Sequence, residues 1–180
     1  PKTDKILEIA WQITDEDFNS IAEPEAYIVN HRAEVWGWSG LFTALRYASD
    51  EVQEMHRRSG LIDEVRFGDD DALRDIDDIY DDLWVATDDL KSEGHTVHLA
   101  GRSVHFDRAF LSHYGFHSLF EGAASTIHHR HLDLSSIKMM LELSGMKVPE
   151  QPESIHRAKA DVEGDIELAR DIKQALRGQK

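Results

Sequence analysis

Two short stretches of this chain place acidic and basic groups where a hydrolytic site could use them. The first is Leu99-Ala-Gly101-Arg-Ser103-Val-His-Phe-Asp107-Arg-Ala-Phe-Leu111. An apolar run stops at Gly101, and Asp107 opens the next helical stretch. Carboxylates beyond the C-terminal ends of strands in α/β folds face the crevice where ligands bind. Asp107 reads equally well as a helix cap. The second stretch is His156-Arg-Ala-Lys-Ala-Asp161, at the head of the last long helix. A helix dipole alone favours an acidic residue there. A His in the preceding loop and an Asp five residues on can also reach one site. The Asp can then bind a metal ion while the His takes a proton from water. Two further runs, Met55-His-Arg-Arg-Ser-Gly-Leu61 and His131-Leu-Asp-Leu-Ser-Ser-Ile-Lys138, read by themselves as loops or helix starts.

Apolar spacing predicts the elements that must carry these groups. Residues 5–13 and 25–30 are strand-like runs separated by the acidic turn Asp15-Glu16-Asp17, which predicts an antiparallel hairpin. Residues 31–48 are aromatic and irregular, and Gly37 and Gly40 predict a loop. Asp50–Arg58 reads as a short helix ending near Gly60. Leu73, Ile76, Ile79, Tyr80, Leu83 and Trp84 carry helical spacing and predict a helix over Asp69–Lys91 with a solvated aspartate face. A strand over Thr96–Ala100 precedes helices over Asp107–Tyr114 and Ser135–Leu143, the second with Ser135 near its N-cap. A proline-containing loop, Lys147–Ser154, leads to a final helix over Ala158–Leu176. Strands first, then helices alternating with strands, predict an α/β fold with a mixed central sheet flanked by helices.

The 180 residues suit one domain with a real core. Hydrophobic residues at 41% and charged residues at 31% suit a soluble globular protein. No run approaches the ~20 apolar residues of a membrane span, and the polar Pro1-Lys2-Thr3-Asp4 does not read as a signal peptide. The absence of cysteine excludes disulfides and thiolate-bound zinc; a cytoplasmic home is the simplest reading. A formal charge of −15 opposes a tight non-specific grip on long nucleic acid. It permits action on a short one through a few placed contacts and bound cations, which reverse the local sign. His128-His129-Arg130-His131 lacks the partners of a metal site and reads as a substrate or subunit surface. Trp36-Gly-Trp38 reads as local packing, and Asp69-Asp70-Asp71 as a solvated helix start.

Order and spacing join these pieces. Gly-x-Ser-x-x-x-Asp followed by Phe-Leu resembles the second exonuclease motif of the DEDD group, and His-x-x-x-x-Asp resembles its third in the DEDDh branch. Arg130-His-Leu-Asp-Leu-Ser-Ser136 resembles the oligoribonuclease run Arg-Tyr-Leu-Asp-Val-Ser-Thr. His56-Arg-Arg-Ser-Gly-Leu61 resembles a His-Thr-x-Ser-Gly-Leu segment, and Lys5-Ile-Leu-Glu-Ile-Ala resembles the strand after the first motif. The collinear matches resemble the DEDDh 3′–5′ exonucleases of the ribonuclease H-like fold, with oligoribonuclease nearest. The resemblance implies two Mg2+ or Mn2+ ions, ~4 Å apart, acting on the scissile phosphate. It implies Asp107 and Asp161 as metal ligands and His156 as general base. It places Ser103, Arg130, Ser135 and Ser136 at the terminal phosphate, and His56 at a nucleotide. It further implies release of nucleoside 5′-monophosphates from short single-stranded RNA or DNA, and a homodimer in which the His129-Arg130 segment reaches the neighbour's site.

Departures from the pattern set further expectations. The family's first motif, Asp-x-Glu, precedes a Thr-Gly-Leu turn, and Pro1-Lys2-Thr3-Asp4 resembles the stretch just after it. Residues 1–180 are therefore expected to form one exonuclease domain without its first strand and without two of the four carboxylates. Such a chain should act weakly or not at all by itself, with an unpaired edge at Lys5–Ile13. Glu8 matches a position within the following strand and is no substitute. Glu51 lies near the place of a family tryptophan, and His129 replaces a family tyrosine. These differences leave open a proofreading or phage-type exonuclease acting on DNA. A catalytically inactive module of the same fold, binding a nucleotide or a protein, is the other alternative.

Overall fold

Strands β1 (Glu8–Trp11) and β2 (Glu25–Val29) form the expected antiparallel hairpin in the computed structural model, which describes residues 5–30, 48–69, 72–150 and 154–178. Their register pairs Glu8 with Ile28 and Trp11 with Glu25. The Trp11 and Tyr27 rings lie 5.4 Å apart on this hairpin. Strand β3 (Leu73–Arg74) adds to β2 in parallel, giving the order β1-β2-β3. A second sheet pairs β4 (Val97–Gly101) with β5 (Ile127–Asp133), also in parallel. Its register moves between the His98–His128 and Ala100–Leu132 pairs, so residues 129–131 bulge out of β5.

Helices follow as α1 (Asp50–Arg58), α2 (Leu61–Phe67), α3 (Ile76–Ser92), α4 (Val104–Leu111), α5 (His117–Phe120), α6 (Leu134–Leu143) and α7 (Ala158–Arg177). Helix α3 turns Ile79 and Leu83 into the largest core cluster, with Val29, Phe116, Leu119 and Ile127. Its buried Thr87 hydroxyl bonds the Thr126 hydroxyl at 2.7 Å, which satisfies both groups inside the core. Helices α6 and α7 share a second cluster, Leu134, Leu141, Leu168, Ala169 and Ile172. The start of α7 is fixed from afar: Glu8 on β1 accepts the Ala158 N–H at 2.6 Å and the Arg157 guanidinium at 2.9 and 3.1 Å. Glu8 thereby satisfies a backbone donor that a helix start leaves open.

The mixed α/β architecture agrees with the sequence reading, and several local readings need correction. The helix expected over Asp69–Lys91 begins only at Ile76, because Leu73 and Arg74 pair with β2. Ser135 lies inside α6, and Asp133 is the cap, its carboxylate accepting the Ser136 N–H at 3.0 Å. Asp107 stands within α4 rather than opening it. The 128–131 run belongs to strand β5, which the sequence reading did not assign, and residues 129–131 are exposed there; the helix expected over Asp50–Arg58 is α1, with His56 in its last turn. Among the described residues β1 pairs with β2 alone. The loop expected at 31–48, with Gly37, Gly40 and the two tryptophans, lies almost wholly outside the described residues, as does most of Asp69–Asp71. Among the described residues no helix is long and apolar enough to cross a membrane.

Candidate active site

The head of α7 and the end of β4 meet. Gly101 closes β4, and a Cβ there would come within 3.2 Å of Asp165 Oδ2, so glycine permits the strand end to approach α7. The next residue, Arg102, donates its backbone N–H to Asp165 Oδ2 at 2.9 Å and its Nε to Asp165 Oδ1. Arg102 Nη2 lies 3.7 Å from Asp161 Oδ1. Asp161 and Asp165 are four residues apart and share one helical face. Asp107, on α4, belongs to the same neighbourhood. Crowding by protein raises its carboxyl above the ordinary value; its own backbone N–H opposes the rise, and the Asp165 carboxylate adds to it.

Ser154 joins the His and the Asp. Its hydroxyl donates to Asp161 Oδ1 at 2.6 Å and accepts the His156 backbone N–H at 2.9 Å. It also lies 3.3 Å from His156 Nδ1. The one hydroxyl proton is directed at Asp161, so the network assigns a proton to Nδ1 and leaves the lone pair on Nε2. His156 has φ of +56° and Ser103 φ of +53°. These are two of only three described non-glycine residues with positive φ, and such strained positions concentrate at functional sites.

His56 approaches His156 from α1. Burial lowers the His56 pKa, the nearby His156 lowers it further, and Glu8 opposes both. Its Nδ1 is buried without a hydrogen-bond partner among the described residues. Beyond the ends of β4 and β5, the Ser103 and Ser135 hydroxyls come within 3.4 Å of one another. Burial would raise the adjacent Asp133 carboxyl, yet bonds from the Ser136, Ser135 and Ser103 backbones hold it below the ordinary value.

The structure links His156 to Asp161 through Ser154, brings His56 near His156 and Asp107 near Asp165, and sets the Ser103 and Ser135 hydroxyls beside one another. Arg130 stands apart in the β5 bulge, three residues and about 10 Å of strand from Asp133. Sequence reading passed over Ser154, Arg102 and Asp165. Of these, Asp165 carried a usable signal, its four-residue spacing from Asp161. The carboxylate oxygens are the donors available to a metal ion, and among the described residues no group of three or more His, Cys, Asp or Glu side chains converges to hold one.

Three relatives are similar to the chain over most of its length. An oligoribonuclease of Neisseria meningitidis serogroup C is 29% identical over 182 residues, covering 97% of this chain and 84% of that protein. An oligoribonuclease of Nocardia farcinica is 33% identical over 172 residues, 91% of this chain and 69% of that protein. One of Rhodococcus jostii is 30% identical over 170 residues, 91% of this chain and 75% of that protein. No family model matches.

Proposed function

The chain belongs to the oligoribonuclease family, 3′–5′ exoribonucleases of the ribonuclease H-like fold, and on that premise we propose that the site where the end of β4 meets the head of α7 removes nucleoside 5′-monophosphates from the 3′ end of short single-stranded RNA. The observation that carries the reading is the Ser154–His156–Asp161 arrangement. With Nδ1 bonded to Ser154, His156 Nε2 is free to take a proton from the attacking water. The water oxygen bonds to phosphorus, the bond from phosphorus to the 3′ oxygen breaks, and the shortened RNA keeps a 3′-hydroxyl. Ser103, Ser135 and Ser136 would hold the terminal phosphate by hydrogen bonds. His56 would face the terminal nucleotide.

Asp107 and Asp161 would contribute to holding Mg2+ or Mn2+. Their oxygens suit a hard divalent cation in kind, although the described residues alone supply fewer ligands than such an ion takes. Such an ion would place positive charge at the phosphate and make bound water more acidic. Arg130, exposed in the β5 bulge, would serve the site of a second copy in a two-fold dimer.

Release of mononucleotides from a 5′-labelled short RNA by the full natural chain tests the reading. Asp161→Asn should abolish release at an unchanged unfolding midpoint, and EDTA should stop the wild-type reaction. Release that survives both removes Asp161 and the metal from the proposal. Light scattering should show a dimer at micromolar concentration; a monomer there takes Arg130 out of the site.

A further inference from the structure

We propose that Arg102 and Asp165 are positioning residues: their clamp between β4 and α7 aims the Ser103 hydroxyl at the terminal phosphate of the RNA and sets the preference for a substrate that carries one. The inference rests on the reading of Ser103 as a phosphate contact, and it involves no metal ion. Ser103 stands at the N-cap of α4, where a serine hydroxyl ordinarily accepts an N–H of the first turn. Among the described residues it makes no such bond. Its backbone is left-handed, with φ of +53° and ψ of +39°, and its hydroxyl lies 3.4 Å from that of Ser135 instead. A residue with a Cβ keeps that conformation only where its surroundings impose it.

Two carboxylates from different elements impose it, by taking consecutive backbone N–H groups. Asp165 on α7 accepts the Arg102 N–H at 2.9 Å, and Asp133 at the end of β5 accepts the Ser103 N–H. The Arg102 side chain locks the first of these bonds. Its Nε donates to the other oxygen of Asp165, so the carboxylate cannot turn away without breaking an ion pair. The two side chains retain only 23% and 20% exposure, which limits replacement by water. Asp133 also caps α6, accepting the Ser136 N–H at 3.0 Å, and so fixes Ser135 as well. Its charge is met by backbone N–H groups, which leaves the paired hydroxyls as the donors to a phosphate. Asp133 thus brings the two serines together, while Arg102 and Asp165 tie them to the helix that carries Asp161 one turn earlier.

The test measures binding to the full natural chain, by calorimetry in EDTA, of a 5′-phosphorylated adenine diribonucleotide and of its 5′-hydroxyl form. Wild type should favour the phosphorylated form by about tenfold, as hydrogen bonds to a charged group allow. Ser103→Ala should remove that preference. Arg102→Gln and Asp165→Ala should each reduce it to about twofold, with binding of the 5′-hydroxyl form near wild type. These two substitutions change the charge in opposite senses, so a shared loss reports position. A preference that falls in Arg102→Gln and rises in Asp165→Ala reports charge alone and overturns the proposal. A preference kept in both, or an equal loss of affinity for both dinucleotides, overturns it too. Adding Asp165→Ala to Ser103→Ala should change the preference no further, and a further change shows that the clamp does not act through Ser103. No preference in wild type, or one that survives Ser103→Ala, removes the phosphate reading of Ser103 along with the proposal; every other failure leaves that reading standing. If Asp165→Ala does not fold, Asp165→Asn takes its place, since it keeps an acceptor and loses the ion pair; a wild-type preference there overturns the proposal.

Discussion

The two ends of α7 are both tied down by charge, and the ties differ in kind. At the N-terminal end Arg157 bridges Glu8 and Glu64, and Glu8, with 8% of its side chain exposed, also caps the helix. At the C-terminal end Arg170 bonds the Phe18 carbonyl oxygen at 2.6 and 3.0 Å, and Lys173 and Arg177 pair with Asp17 at 2.8 and 3.0 Å. The first set exchanges ion pairs between partly buried side chains, where little water can replace a lost partner. The second grips a surface turn, where water and salt can take over. One helix thus holds its N-terminal end by groups that are hard to replace and its far end by groups that are easy to replace. Charge pairs fix a site when they are shielded, and they merely fasten a surface when they are not.

Substitutions along α7 break this contrast in graded fashion. His156→Ala should lower turnover by about 10²–10⁴-fold at nearly unchanged stability, as loss of a general base does; turnover within a factor of two of wild type would place the base elsewhere. Glu8→Ala should lower stability by about 3 kcal/mol in urea, since it leaves Arg157 with one partner and the α7 start uncapped. A fall too small to resolve would reduce the buried clamp to the rank of the surface one. Asp107→Asn should do the reverse, raising the unfolding midpoint by roughly 1–2 °C while abolishing activity. The reason is that a crowded carboxylate beside Asp165 is kept at a loss of stability. The smallest change belongs to the far end: Arg177→Ala should leave the midpoint near wild type, with any difference gone at roughly 0.5 M salt.

Acid sharpens the same contrast through His56. Its folded pKa lies below the unfolded value of about 6.5 because of burial and, after that, His156. As pH falls through about 6.5, the unfolded chain takes up a proton that the folded chain resists, so stability declines on the acid side. His56→Gln should flatten that decline between about pH 7 and 5 when midpoints are measured by circular dichroism.

Much of the proposed site was legible in the sequence because it lies in short stretches with fixed spacing. Asp107, His156, Asp161, Ser103 and Ser135 all come from such stretches, and strand and helix ends supply their placement. Strand β5 was hidden by His128-His129-Arg130-His131, a run without apolar alternation, whose bulge breaks the strand period as well. Strand β3 is two residues long, too short to separate from the helical spacing that follows it. Arg102 and Asp165 were beyond reach for another reason. They stand 63 positions apart, and only the packing of β4 against α7 brings them together. Nothing in either local sequence announces the pair.

The clamp at Glu8 also bears on how the molecule refolds. It joins groups 149 and 150 positions apart, so it can form only after nearly the whole chain has been gathered. Contacts of such separation carry the full entropy of closing the intervening loop and arrive late. Helices α3 and α6 can gain structure from nearby residues, whereas the loop that carries Ser154 and His156 is seated only when β1 reaches α7. On dilution from denaturant, helical signal should return first and phosphodiester cleavage should lag behind it. Slowing the arrival of β1 should lengthen the lag while leaving the early helical phase as it was.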